Sequence, residues 1–216
     1  MKNLDHLLQL PNPWHGDILA APATGLATGF SELDELLPER GWVQGALTEL
    51  LVPHEGIGAL QLLLPALVRL SQQRRWIAWV APPYVPYEPA LEAAGVDTSR
   101  LLRVYPRNGR DGLETVEACL RAGTCTAVLA WPMAGELPAL RRLQRAAAEG
   151  RSWGILFRPE HCAQFASPAT QRVQIARTSS GVAITRLNAR GGWNAGPVVL
   201  PMDRLLQPQE DARRLS

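Results

Sequence analysis

Five short apolar runs dominate this chain: 46–52 (ALTELLV), 76–81 (WIAWVA), 101–105 (LLRVY), 126–131 (TAVLAW) and 153–157 (WGILF). Their length and lack of alternation suit strands buried on both faces. Helical patterns fill the gaps at 59–73, 87–94, 111–122 and 136–149. Strands alternating with helices of this length build βαβ units with right-handed crossovers. The expected fold is therefore α/β, a mostly parallel sheet flanked by helices. Two alternating segments around Ser179-Ser180-Gly181, within 172–187, add a β-hairpin, and 197–200 (PVVL) a further strand. With 216 residues, 46% hydrophobic and 19% charged, the chain suits one domain with a sizeable core. The expected division is a partly flexible extension at 1–23, the domain at 24–204 and a flexible tail at 205–216.

Details of the helices sharpen this reading. Ser31 is placed to cap a short helix at 31–37, with acids in its first turn. The helix at 59–73 is apolar almost all round and should be central, with Pro65 kinking it. The helix at 136–149 should lie on the surface, with Arg141, Arg142 and Arg145 forming a basic face. Near the amino terminus Leu4, Leu7 and Leu8, with Trp14, form either an internal staple or a helix for docking on a partner.

Charge excludes a globally basic nucleic-acid binder, since 22 Lys+Arg stand against 20 Asp+Glu. Lys2 is the only lysine, and arginine makes bidentate phosphate and carboxylate contacts that lysine cannot. Between Glu160 and Asp203 there is no acid, while Arg172, Arg177, Arg186 and Arg190 fall there. This stretch is either a patch for DNA phosphates or an acidic partner, or an ordinary solvated hairpin face. Cys119, Cys125 and Cys162 show no metal-ligand spacing and read as reduced thiols. The amino terminus lacks a signal peptide's apolar stretch and no run is long enough for a bilayer span, so a cytoplasmic protein without membrane contact is expected.

The stretch from the strand at 46–52 through Pro53-His54-Glu55-Gly56-Ile57-Gly58 into the following helix occupies the position of a phosphate-binding loop. A working loop places a lysine and then Ser or Thr after the last glycine. Here Ala59 and Leu60 stand there, the strand at 126–131 ends in Trp131-Pro132 rather than a carboxylate, and Glu55 would repel a triphosphate. No nucleotide hydrolysis, cofactor or metal is expected. Trp131, Pro132 and Trp153 are read at the carboxyl ends of strands, as a plug for the vacated crevice or as a binding site. Trp76 and Trp79 are read as core.

Over residues about 24 to 200 the chain resembles the RecA-like recombinase family. The resemblance is carried by Ala27-Thr28-Gly29-Phe30 with Leu33-Asp34, Thr48-Glu49-Leu50, Ala94-Gly95-Val96-Asp97 and Leu101-Leu102. It implies a RecA-like core with a degenerate phosphate loop. The centre is also similar to two bacterial relatives of that family. Leu62-Leu63-Leu64-Pro65, Gln72-Gln73-Arg74-Arg75-Trp76, Leu120-Arg121-Ala122-Gly123 and Phe157-Arg158-Pro159 resemble SulA, the SOS-induced inhibitor of the division protein FtsZ. The opening segment at 28–38 and the hairpin from Ile184 to Leu200 with Gly191-Gly192-Trp193 resemble ImuA, which is encoded with the ImuB pseudo-polymerase. The ends favour ImuA. That resemblance implies a non-enzymatic role in translesion synthesis, with an ImuB-like pseudo-polymerase, RecA and the error-prone DnaE-type polymerase as partners and DNA contact open. The SulA alternative implies FtsZ as partner.

Overall fold

The computed structural model describes residues 25–54, 56–131, 136–187 and 196–206. The strands are β1 (Leu47–Val52), β2 (Trp76–Val80), β3 (Leu101–Val104), β4 (Cys125–Ala130), β5 (Trp153–Pro159), β6 (Gln171–Thr178), β7 (Gly181–Arg186) and β8 (Val198–Pro201). They form one sheet in the order β3-β2-β4-β5-β1-β6-β7-β8. Pairings among β1 to β6 are parallel. The β6–β7 and β7–β8 pairings are antiparallel, so the sheet is mixed. All five apolar runs are strands, and β1 is buried along its whole length.

The helices are α1 (Ser31–Leu36), α2 (Leu64–Ser71), α3 (Glu88–Ala93), α4 (Gly109–Arg121), α5 (Leu137–Gly150) and α6 (Met202–Leu206). One face of the sheet carries Leu50, Ile77, Leu129, Ile155 and Val173 against α1, α2 and their flanking segments. The other carries Leu47, Val128 and Leu156 against α4 and α5. On α5, Ala139, Leu140, Leu143, Ala146 and Ala147 turn inward while Arg141, Arg142 and Arg145 stay exposed, the amphipathic division expected of a surface helix. Gly150 ends α5 where a Cβ would stand 1.8 Å from the Leu120 carbonyl oxygen, so only glycine allows this approach to the end of α4.

Two helix readings and the start of the tail need correction. Helix α2 starts at Leu64, five residues later than expected, because Pro65 sits in its first turn rather than kinking its middle. Proline lacks the N–H that a helix interior needs but is preorganised for the first turn. Ser31 does not cap α1: its hydroxyl donates to Glu32, while the Asp34 carboxylate accepts from Thr28 N–H at 2.8 Å and Thr28 Oγ1 from Phe30 N–H at 3.1 Å. Residues 205 and 206 complete α6, with Leu205 buried. Leu4, Leu7, Leu8, Trp14, Glu55, Pro132 and Arg190 lie outside the described residues.

Candidate protein-binding surface

The glycine loop after β1 leaves no place for a phosphate. Gly56 and Gly58 both have positive φ, and Ile57 between them is fully buried. Residues 59–63 follow as turns, with Leu62 N–H donating to the Gly58 carbonyl and Leu63 N–H to that of Leu60. A Cβ on Gly58 would touch Val182 of β7 and Leu205 of α6. The hairpin and α6 therefore cover the loop, and an apolar turn replaces the helix amino terminus that would cradle an anion. A RecA-like phosphate loop, even a degenerate one, is not what this segment shows.

The tryptophans divide differently from the expectation. Trp131 follows β4 at its carboxyl end and stacks flat on Phe157, with ring centroids 4.4 Å apart, while Trp79 tilts against it at 5.7 Å. Trp153, by contrast, opens β5 at its amino end, stacking on Trp42 at 5.5 Å and donating from Nε1 to Thr48 Oγ1 at 2.9 Å. It is core, and far from any strand carboxyl end. Trp79 is buried, whereas Trp76 is 40% exposed, so the core reading holds for the first alone.

The arginines of the hairpin do not form one patch. Arg172 is 2% exposed, so it is not a surface residue. Its Nε donates to Glu49 Oε2 at 2.8 Å and its Nη2 to the Cys162 carbonyl at 2.9 Å. Glu49 Oε1 accepts from Arg158 Nη1 at 2.7 Å and from Ser167 Oγ at 2.8 Å. The reason is register: Glu49 pairs with Arg172 across β1 and β6, on the same face of the sheet. A carboxylate in the middle of a doubly buried strand needs buried cations and donors around it. Arg177 and Arg186 project from the opposite face, Arg177 opposite Val182 and Arg186 opposite Val173. Four residues of ladder, about 13 Å, separate them. Arg177 is exposed and Arg186 half-buried. On α5, Arg142 meets Glu117 of α4 at 3.2 Å, and Glu117 also binds Arg121 at 2.9 Å. Burial pushes the Glu117 carboxyl up, but the two guanidinium groups outweigh it and hold it below the usual range.

A different surface was missed by reading charge alone. After the carboxyl ends of β2 and β3 the chain exposes Tyr84 and Tyr87, 74% and 71% accessible, with Val85 and Tyr105, and Leu102 is exposed within β3. At the carboxyl ends of β2 and β4 lies a cavity of about 170 Å³ lined by Val80, Ala81, Pro106, Asn108, Leu113 and Trp131. Ala81 takes a left-handed φ of 52° immediately before Pro82-Pro83, a costly position that turns the tyrosine segment away from β2. The Asn108 side chain caps α4 by accepting from Asp111 N–H at 2.9 Å and so fixes the cavity's far wall. Strand β3 is the edge of the sheet, with Leu102 and Arg103 exposed. Exposed aromatic side chains and an apolar cavity are features of protein interfaces. The sequence signal was the proline-spaced Tyr84, Val85 and Tyr87 following a buried strand. No cluster of three or more His, Cys, Asp or Glu able to hold a metal occurs among the described residues, and no helix among them is long and apolar enough to cross a membrane.

The family model described as cell division inhibitor SulA matches residues 45–154. This chain belongs to the SulA family. Relatives named cell division inhibitor SulA include that of Serratia proteamaculans, 31% identical over 121 residues, covering 56% of this chain and 71% of the relative. That of Edwardsiella piscicida is 35% identical over 119 residues, covering 50% and 68%. The crystal structure of SulA from Pseudomonas aeruginosa is 28% identical, covering 52% of this chain and 97% of that one, with a TM-score of 0.44. The SulA match runs from the start of β1 to the start of β5 and contains the whole tyrosine and cavity surface. These similarities favour the division-inhibitor reading over the ImuA reading, and do not support an ImuB-like pseudo-polymerase, RecA or a DnaE-type polymerase as partners.

Proposed function

We propose that this protein is a SulA-type inhibitor of cell division that acts by binding FtsZ, without catalysis of its own. One observation carries the reading: the SulA-family match at 45–154 encloses the exposed tyrosines, the edge strand β3 and the apolar cavity. The aromatic side chains supply contact area at low conformational cost, and the cavity offers an anchor point for an apolar side chain of the partner. Capture from cells after DNA damage tests it: recovery of FtsZ with the tagged chain supports the proposal, and recovery of an ImuB-like pseudo-polymerase and RecA without FtsZ overturns it.

A second reading, as an ImuA-type accessory of translesion synthesis, is favoured by the segments outside the SulA match. The opening segment is built into the domain through Phe30, Leu33 and Leu37, which are buried in the main core, and β7 and β8 extend the sheet beyond β6. In that reading the exposed Arg141, Arg145 and Arg177, with Arg142 and Arg186, are the contacts to DNA or to an acidic partner. A fall in DNA binding on reversing Arg141 and Arg145, with a steep salt dependence, would support it.

A further inference from the structure

Helix α4 carries glycine at its first and fourth positions, Gly109 and Gly112, and the backbone requires neither. Neither has a positive φ, whereas Gly123, just after the same helix, takes a φ of 68°. A Cβ on Gly109 would meet nothing within 4 Å, and one on Gly112 would meet only Pro106 Cγ at 3.7 Å, an ordinary contact. Gly150 and Gly154 differ, since a Cβ there would strike the Leu120 carbonyl oxygen at 1.8 Å or the Leu47 side chain at 2.4 Å. Glycine is the poorest helix former after proline, so a larger residue at 112 would make a better helix. What the two glycines do is leave space: both line the cavity at the carboxyl ends of β2 and β4, as does Pro106.

The topology sets this cavity where an open α/β sheet accepts ligands. From β2 the chain leaves toward α3, whose Leu91 packs in the core on one face of the sheet. From the neighbouring strands β3 and β4 it leaves toward α4 and α5, whose Val116 and Leu140 pack on the other face. The divergence opens a crevice at the end of β2, and such switch points are the ligand sites of open α/β sheets. Val80 and Ala81 line the cavity from β2, Trp131 from the end of β4, and Leu113 and Val116 from α4. Trp131 is a fixed wall, stacked on Phe157 at 4.4 Å with Trp79 tilted against it. None of the described lining residues is charged. The Asn108 amide is taken up in capping α4, its oxygen accepting from Asp111 N–H and its nitrogen donating to Asp111 Oδ2 at 2.8 Å. A charged ligand would therefore lose its hydration without gaining a partner. An apolar cavity of about 150 Å³ admits benzene, so a space of about 170 Å³ fits one six-membered ring.

We propose that this cavity is a binding site for a small, neutral, single-ring aromatic molecule, kept open by Gly109 and Gly112. The site stands without the division-inhibitor reading. A ring bound here fills the space that reading gives to a partner's side chain, so the two occupants exclude one another.

The test titrates the folded full-length chain with fluorobenzene, followed by fluorine NMR and by the thermal unfolding midpoint. The expected result is one saturable site on the parent chain, with the probe raising the midpoint. Gly112→Leu places a branched side chain in the cavity and should weaken fluorobenzene binding at least tenfold. The same substitution should raise the midpoint of the free chain, which separates loss of the site from loss of the fold. Fluorobenzoate, the same ring bearing a charge, should bind the parent at least tenfold more weakly than fluorobenzene. Absence of saturable binding to the folded parent, equal binding by the parent and Gly112→Leu, or equal binding of fluorobenzoate would overturn the proposal. So would a parent chain that binds no fluorobenzene yet loses an effect on FtsZ assembly through Gly112→Leu, which would give the cavity to the partner's side chain. Should Gly112→Leu not fold, Gly112→Ala narrows the same space by one methyl group and should weaken binding severalfold.

Discussion

Glu49 shows how much one side chain can demand of a sheet. Placed in an otherwise apolar strand, its carboxylate accepts from Arg158, Arg172 and Ser167, all buried with it. Removing one member of such a cluster leaves an uncompensated buried charge, which costs far more than the intact set contributes. Glu49→Ala should therefore destabilise the fold by about 3–5 kcal/mol, measured by urea unfolding with an unchanged m-value. The combined Glu49→Leu, Arg158→Met and Arg172→Met chain should recover most of that loss. Glu49 was legible in the sequence as an acid inside a buried strand. Its partners were not, because Arg172 lies in an acid-free stretch that reads as a solvated face. Only the register of β1 with β6, which follows from tertiary pairing, turns Arg172 inward.

Elements show the same division between local signal and long-range choice. The apolar runs announce the strands, because a strand buried on both faces has no polar side to disguise it. What local pattern does not carry is where each run sits in the sheet; Trp153 begins both its apolar run and β5, so its place at an amino end was legible and the carboxyl-end reading ran against the pattern. Nor does it separate apolar turn from apolar helix in 59–63, where Pro65 decides the start of α2. The α4–α5 seam offers two measurements. Gly150→Ala would drive a Cβ into the Leu120 carbonyl and should cost about 3 kcal/mol in thermal or urea unfolding. Glu117, held below its ordinary value by Arg121 and Arg142, adds stability that is present above the usual carboxylate range and is lost as pH falls through the lowered value. Glu117→Gln should lower stability by up to about 1 kcal/mol at neutral pH, with the gap between the two chains closing in acid.

For the whole molecule, the consequence is a rigid α/β scaffold with its aromatic surface at one corner. The phosphate-loop position is filled from below by Ile57 and from above by β7 and α6, so the surface available for work is the corner where β3, β2 and β4 end. That corner escaped notice because Tyr84, Tyr87 and Tyr105 are scattered over loops, and only the sheet order brings their strands side by side. Tyr84→Ser with Tyr87→Ser should leave the unfolding midpoint within about 0.5 kcal/mol of the parent, since both rings are exposed, while weakening partner binding at least tenfold in a titration. The most direct measurement is FtsZ assembly followed by light scattering as purified protein is added. Assembly should decline in proportion to the added protein and be abolished near equimolar amounts, with the tyrosine double variant ineffective. Unaltered FtsZ assembly in the presence of a several-fold excess of the folded protein would contradict it.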